Sequence, residues 1–259
     1  MDRTTLFRPN FRYLACVAAL APLALGLAAC KQDAPADGTA PSAASTPLAN
    51  VAPLAGKAWA DLITATPEGG FRMGNPDAAV KIVEYGSLTC PHCAEFSEKG
   101  SATIRDKWVA SGRVSYEFRQ FVRDALDVTL GLLTRCGPPE TYIGLTEQVF
   151  ASQVELFTSL QSKEAQMKAA MAAPDNQRFM AVADAAGLIP FFAARGVAVD
   201  QAKACLARTD TATMMAKNTE AQSTQYEIGG TPTFLFNGAK ADMNTWEEVK
   251  ARVENMGVR

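Results

Sequence analysis

Three observations predict an α/β fold in which an all-helical insertion divides the sheet. The run Val80-Lys81-Ile82-Val83-Glu84-Tyr85 is almost continuously apolar, as a central strand covered on both faces should be. A helical pattern and a second strand, Val114-Ser115-Tyr116-Glu117-Phe118-Arg119-Gln120-Phe121-Val122, come next. Strand, helix, strand implies a parallel pair with a right-handed crossover. From Asp124 to about Tyr226 the signals are helical almost throughout, and strand character returns at Gly229–Gly238.

The amino end stands apart from that fold. Arg3, Arg8 and Arg12 precede an apolar run from Tyr13 to Ala29, the order of an export signal, so residues 1–29 are read as a signal peptide. The run is short for a membrane span and Pro22 interrupts it, although a retained anchor is the other reading. Leu27-Ala28-Ala29-Cys30 resembles a bacterial lipobox, which would make Cys30 the lipid-bearing first residue; ordinary cleavage nearby would leave it a stray thiol. From Lys31 to about Gly56 the chain is rich in Ala, Pro, Ser, Thr and Asp, with too little apolar bulk to offset its conformational entropy. Residues 30–56 are therefore expected to be a disordered tether.

Of 25 basic and 27 acidic residues, cleavage before Cys30 removes Arg3, Arg8, Arg12 and Asp2, leaving 22 and 26 and a net charge of −4. Nothing resembles a nucleic-acid patch. About 200 residues follow the tether, enough for one sizeable core or a core with an inserted subdomain.

Within the folded part, Trp59–Ile63 is expected to be a short helix. The pairs Gly69-Gly70 and Gly74-Asn75-Pro76 bracket a short strand, Phe71-Arg72-Met73. Pro91 falls in a first helical turn, where its missing N–H costs nothing. Phe96, Ile104 and Trp108 keep helical spacing to about Ala110, with Gly112 as the stop. In the insertion, Leu126, Leu130 and Leu133, then Tyr142, Leu145, Val149 and Phe150, then stretches either side of Pro174, carry the helical pattern. A last helix opens at Thr245 with a capping box to Glu248 and buries Trp246, Val249 and Val253. The boundaries that follow are 57–123, 124–226 for the insertion, and 227–259.

Cys90-Pro91-His92-Cys93 lies where the first strand turns into the helix. Two intervening residues let the first thiol sit at the helix N-terminus while the second folds in behind it. Unpaired backbone N–H groups and the helix dipole stabilise a thiolate there, so Cys90 can attack and Cys93 can resolve. His92, the one histidine of the chain, falls between the sulfurs, and an imidazolium would lower the thiol pKa further. The alternatives are a structural disulfide or half of a zinc site. Zinc would require two more ligands at recognisable spacing, and Cys136 and Cys205 are isolated, so no metal is expected.

With Cys-Pro-His-Cys and Gly-Gly-Thr-Pro-Thr-Phe in this order, residues 67 to 259 resemble the DsbA-like thiol:disulfide oxidoreductases of the thioredoxin superfamily. The resemblance implies a thioredoxin fold with an inserted all-helical domain and no cofactor. It places Thr231-Pro232 in the cis-proline loop opposite the cysteines, where Thr231 would pair with an extended substrate segment by strand addition. A plain turn before a strand is the alternative. Glu84 matches a buried acidic residue below the active site that takes up and returns the Cys93 proton; the other reading is a strand-end glutamate turned to solvent. Cys136 and Cys205 match a second cysteine pair of some members, read as a structural disulfide. In one respect the sequence departs: the best-known oxidases have Val before the cis-proline, whereas Thr231 matches isomerase-type relatives.

The resulting expectation is an exported, lipid-anchored monomer on the periplasmic side of a bacterial envelope. It would donate the Cys90–Cys93 disulfide to reduced or misoxidised exported proteins and be restored by a membrane redox partner. A reductase or isomerase of the same fold, or a lipid-tethered peptide-binding protein without catalysis, are the alternatives. Burial of Cys90 would favour the last; an acidic Cys90 thiol would favour an enzyme.

Overall fold

The computed structural model describes residues 45–53 and 55–259. The expected signal peptide, Cys30 and most of the expected tether lie outside the described residues. Residues 45–51, assigned to the tether by composition, instead run along the core. Ser45 N donates to Asn255 O, Leu48 N to Gly257 O and Val51 N to Ser111 O, while the Trp59 indole donates to Val51 O. Composition missed this because the attachment is mostly backbone hydrogen bonding, which any non-proline residue can supply.

Six strands form one mixed sheet: β1 Ile63–Ala65, β2 Phe71–Gly74, β3 Val80–Gly86, β4 Val114–Gln120, β5 Thr233–Phe236 and β6 Ala239–Ala241, in the order β1-β2-β4-β3-β5-β6. β3 and β4 are parallel; every other pairing is antiparallel. Trp59–Asp61 is a single 3-10 turn, and Ile63 already belongs to β1, so the expected helix there is shorter than the sequence suggests. Asn237 and Gly238, both at positive φ, close a two-residue hairpin between β5 and β6.

Helix α1, Pro91–Thr103, packs on one face of the sheet. It continues as a π-helical segment, Ile104–Val109, that carries Trp108 to stack on Trp246 with ring centroids 5.1 Å apart. Trp246 opens α10, Trp246–Asn255, whose capping box joins Thr245 to Glu248. On this face Phe96 meets Phe234 at 4.7 Å between centroids, and Val249 and Val253 complete the packing. The opposite face carries Val83, Tyr85 and Leu235 under Ile228 and Tyr226.

Between β4 and β5 the chain is helical: α2 Ala125–Thr134, α3 Tyr142–Ala151, α4 Gln153–Gln161, α5 Glu164–Met171, α6 Asp175–Ala186, α7 Leu188–Ala193, α8 Val199–Leu206 and α9 Thr209–Gln225. Phe118 of β4 packs against Tyr142 and Phe150 of α3, so sheet and insertion share one apolar core. Cys136, after α2, is disulfide-bonded to Cys205 of α8, a separation of 69 residues.

Candidate active site

The site forms where β3 ends. Ser87–Cys90 leads from the strand, Cys90 is the N-cap of α1, and Pro91 takes the first helical position. Opposite lies the Thr231–Pro232 peptide, which is cis. The Cys90 thiol donates to the Thr231 carbonyl oxygen at 3.2 Å. A groove of about 260 Å³ runs beside this contact, lined by His92, Phe96 and Lys99 of α1, by Thr231 and Pro232, and by Trp246.

Cys90 and Cys93 are free thiols with opposite tendencies. The Cys90 pKa is lowered to about 5, first by the hydrogen bond from Cys93, against the opposing effect of burial. The Thr231 hydroxyl and the backbone N–H groups of Cys93 and His92 lower it further. Burial holds Cys93 well above its ordinary value, with the Cys90 hydrogen bond and the negative charges of Glu84 and Cys90 acting in the same direction. Cys90 therefore holds the thiolate and Cys93 holds the proton. Cys90 is 3 % exposed and Cys93 0 %, so the first thiol is more recessed than a helix terminus alone suggests.

His92 enters differently from the sequence expectation. Its side chain is 76 % exposed, with Nδ1 3.9 Å from Glu95, and what it gives Cys90 is a backbone N–H. Side chains of the first helical turn project outward from the helix, while its unpaired amides point along the axis toward the N-terminal thiolate.

Glu84 is buried in β3, not turned to solvent. Tyr116 of β4 donates its hydroxyl to Oε2 at 2.5 Å, and Oε1 has no partner. Burial raises the Glu84 pKa to about 8, against the lowering by Tyr116 and with a further rise from Cys90. Glu84 thus keeps its proton near neutrality, and its charge, when ionised, raises the pKa of Cys93.

The sequence reading missed two buried polar side chains from the insertion. Gln153 donates to the carbonyls of Leu88 and Cys90, and Asp127 accepts from Ser87 and Leu88. Asp127 carried a misleading signal, since Asp124-x-x-Asp127 reads as a helix cap, and Asp124 does cap α2. Gln153 carried none.

Comparison with known proteins agrees with this geometry. A family model described as Thioredoxin matches residues 66–255. The crystal structure of a protein-disulfide isomerase from Novosphingobium aromaticivorans superposes with a TM-score of 0.68 at 32 % identity, covering 71 % of this chain and 95 % of that one. Wolbachia pipientis alpha-DsbA1 superposes with a TM-score of 0.57 at 19 % identity, covering 72 % of this chain and 89 % of that one, which supports the fold. A Rickettsia bellii protein provisionally named a protein-disulfide oxidoreductase is 22 % identical over 187 residues, 72 % of this chain; the match spans 64 % of that relative's own length. With two cysteines at the start of α1, a cis-proline loop against them and a family model that spans most of the chain, the protein belongs to the thioredoxin family.

Proposed function

We propose that the protein is a thiol:disulfide oxidoreductase that donates its Cys90–Cys93 disulfide to reduced exported proteins. The observation that carries the reading is the asymmetry of the pair: a Cys90 thiol acidified to about 5 beside a buried Cys93 that retains its proton. A stabilised Cys90 thiolate favours the reduced pair, which makes the disulfide the stronger oxidant.

In the reaction a substrate thiolate attacks the Cys90 sulfur of the disulfide. The Cys90–Cys93 bond breaks, a mixed disulfide forms, and Cys93 leaves as a thiolate that takes a proton from Glu84. The second substrate thiolate then attacks the sulfur of the first substrate cysteine in the mixed disulfide, forming the substrate disulfide and displacing Cys90 as a thiolate. Two electrons pass from the substrate to the pair. Of the two substrate protons, one replaces that of Glu84 and the other goes to solvent. A membrane redox partner would take the two electrons and restore the disulfide.

Location belongs to the same proposal. The arginine-led apolar run and Leu27-Ala28-Ala29-Cys30 support export and a lipid on Cys30, holding a monomeric catalytic domain on the periplasmic side of the envelope. Cys30→Ser should abolish fatty-acid labelling and leave the redox equilibrium unchanged. A wild-type chain that takes up no fatty acid would contradict the anchor.

One observation favours isomerisation instead: the Novosphingobium aromaticivorans relative is described as a protein-disulfide isomerase. The burial of Cys90 favours a non-catalytic peptide groove, but an acidic thiol has no use there. Mixing the oxidised protein with a reduced two-cysteine peptide separates the three. Stoichiometric peptide oxidation is expected; reshuffling of a mispaired substrate without net oxidation indicates an isomerase, and no exchange indicates a binding protein.

A further inference from the structure

The Ser87–Cys90 loop delivers the first cysteine to its helix, and side chains from the insertion hold its backbone. Gln153, the buried first residue of α4, donates through Nε2 to Leu88 O at 3.0 Å and to Cys90 O at 3.1 Å. Asp127 of α2, fully buried, accepts from Ser87 Oγ at 2.6 Å, Leu88 N at 3.0 Å, Arg123 N at 3.1 Å and Gln120 Nε2 at 3.1 Å. Gly131 makes room for this: a Cβ there would stand 2.3 Å from the Gln120 side chain. Ser87 Oγ also lies 3.0 Å from Thr89 Oγ1 and accepts from Thr89 N at 3.2 Å. Gln153 does not cap its own helix, and Asp127 spends only the Arg123 contact on the start of α2.

We propose that Gln153 and Asp127 are positioning residues, a clamp through which the helical insertion fixes the Ser87–Cys90 backbone and so the seat of the Cys90 sulfur over the first turn of α1. The proposal rests on the reading of Cys90 as the attacking thiol.

The physical argument is one of geometry. The Cys90 thiolate is stabilised by Cys93, the Thr231 hydroxyl and two backbone N–H groups, contacts that weaken steeply with distance and angle. Cys90 O must meanwhile accept from Ala94 N to open the helix and also from Gln153. Losing the Gln153 amide leaves Leu88 O and Cys90 O short of a buried donor, and the loop can regain one only by moving. Moving the loop moves the sulfur. Ser87 is part of the same device, since its backbone N–H faces the Cys93 sulfur.

The test is ultraviolet titration of the Cys90 thiolate in the reduced protein, together with its redox equilibrium with glutathione. Gln153→Leu fills the space without a donor. Gln153→Glu keeps the shape but sets an acceptor against two carbonyls, and Asp127→Asn keeps the shape while losing the acceptor for Ser87 Oγ and Arg123 N. Each variant should raise the midpoint by about one pH unit, a roughly tenfold loss of thiolate relative to thiol, and shift the equilibrium toward the disulfide. Far-ultraviolet circular dichroism checks that the variants fold; where one does not, Ser87→Ala should give a smaller shift in the same direction. A wild-type midpoint near 5 with every folded variant unchanged overturns the clamp and leaves the reading of Cys90 standing. A wild-type midpoint at the ordinary value of a free thiol overturns both.

Discussion

The Cys90 sulfur and the Thr231 carbonyl, 141 residues apart in sequence, meet at 3.2 Å. The protonated Cys90 thiol is thereby tied to the loop that precedes β5, while the Thr231 hydroxyl favours the thiolate and lowers its pKa. Thr231→Val keeps the backbone carbonyl and removes the hydroxyl. It should raise the Cys90 titration midpoint, and Cys93→Ala should raise it more, because the hydrogen bond from Cys93 is the largest single influence. The order of the two midpoints, read by thiolate absorbance, checks the ranking.

His92 should matter little through its ring. The imidazole is exposed and solvent screens its charge, while the contributing N–H belongs to the backbone and survives substitution. His92→Ala is expected to move the Cys90 midpoint by less than about half a pH unit. A larger rise would restore the imidazolium to the mechanism.

Glu84 makes stability depend on pH. Its folded pKa of about 8 lies above the ordinary value of 4.5, so the folded protein keeps a proton that the unfolded chain releases. Stability therefore falls as pH rises from about 4.5 to about 8, by an amount on the order of a few kcal/mol. Glu84→Gln preserves an acceptor for the Tyr116 hydroxyl and removes the ionisation. Urea unfolding at pH 5 and pH 8 should show a flatter profile for the variant and a more stable variant at pH 8, while its release of Cys93 during exchange is slowed.

The bond between Cys136 and Cys205 closes a long loop within the insertion. In the chain-entropy model, losing it costs roughly 4 kcal/mol. Cys136→Ser with Cys205→Ser should lower the melting temperature and leave Cys90 alkylation at neutral pH unchanged. A shifted Cys90 titration would instead couple the two cysteine pairs.

How legible each part was follows from its physics. β3, α1 and the helical insertion declared themselves because burial on one or both faces leaves a periodic apolar pattern. β1 and β6 are three-residue edge strands, too short for a period, although Asn237-Gly238 announces the hairpin that creates β6. The cysteines and the cis-proline loop were legible as motifs. Gln153, Asp127 and Tyr116, which bond the Ser87–Cys90 loop and Glu84, were not, because each acquires its role only when the fold brings distant segments together. His92 shows the complementary error: adjacency in sequence placed its imidazole beside the thiolate, whereas the helix turns that side chain outward.

The most direct measurement is the reduction potential of the Cys90–Cys93 pair, from its equilibrium with glutathione at pH 7. With an acidic Cys90 and a proton-retaining Cys93, the expected value lies toward the oxidising end of the superfamily, near about −120 mV. A value near about −270 mV, as in thioredoxin, would contradict the donor role and make the protein a reductase.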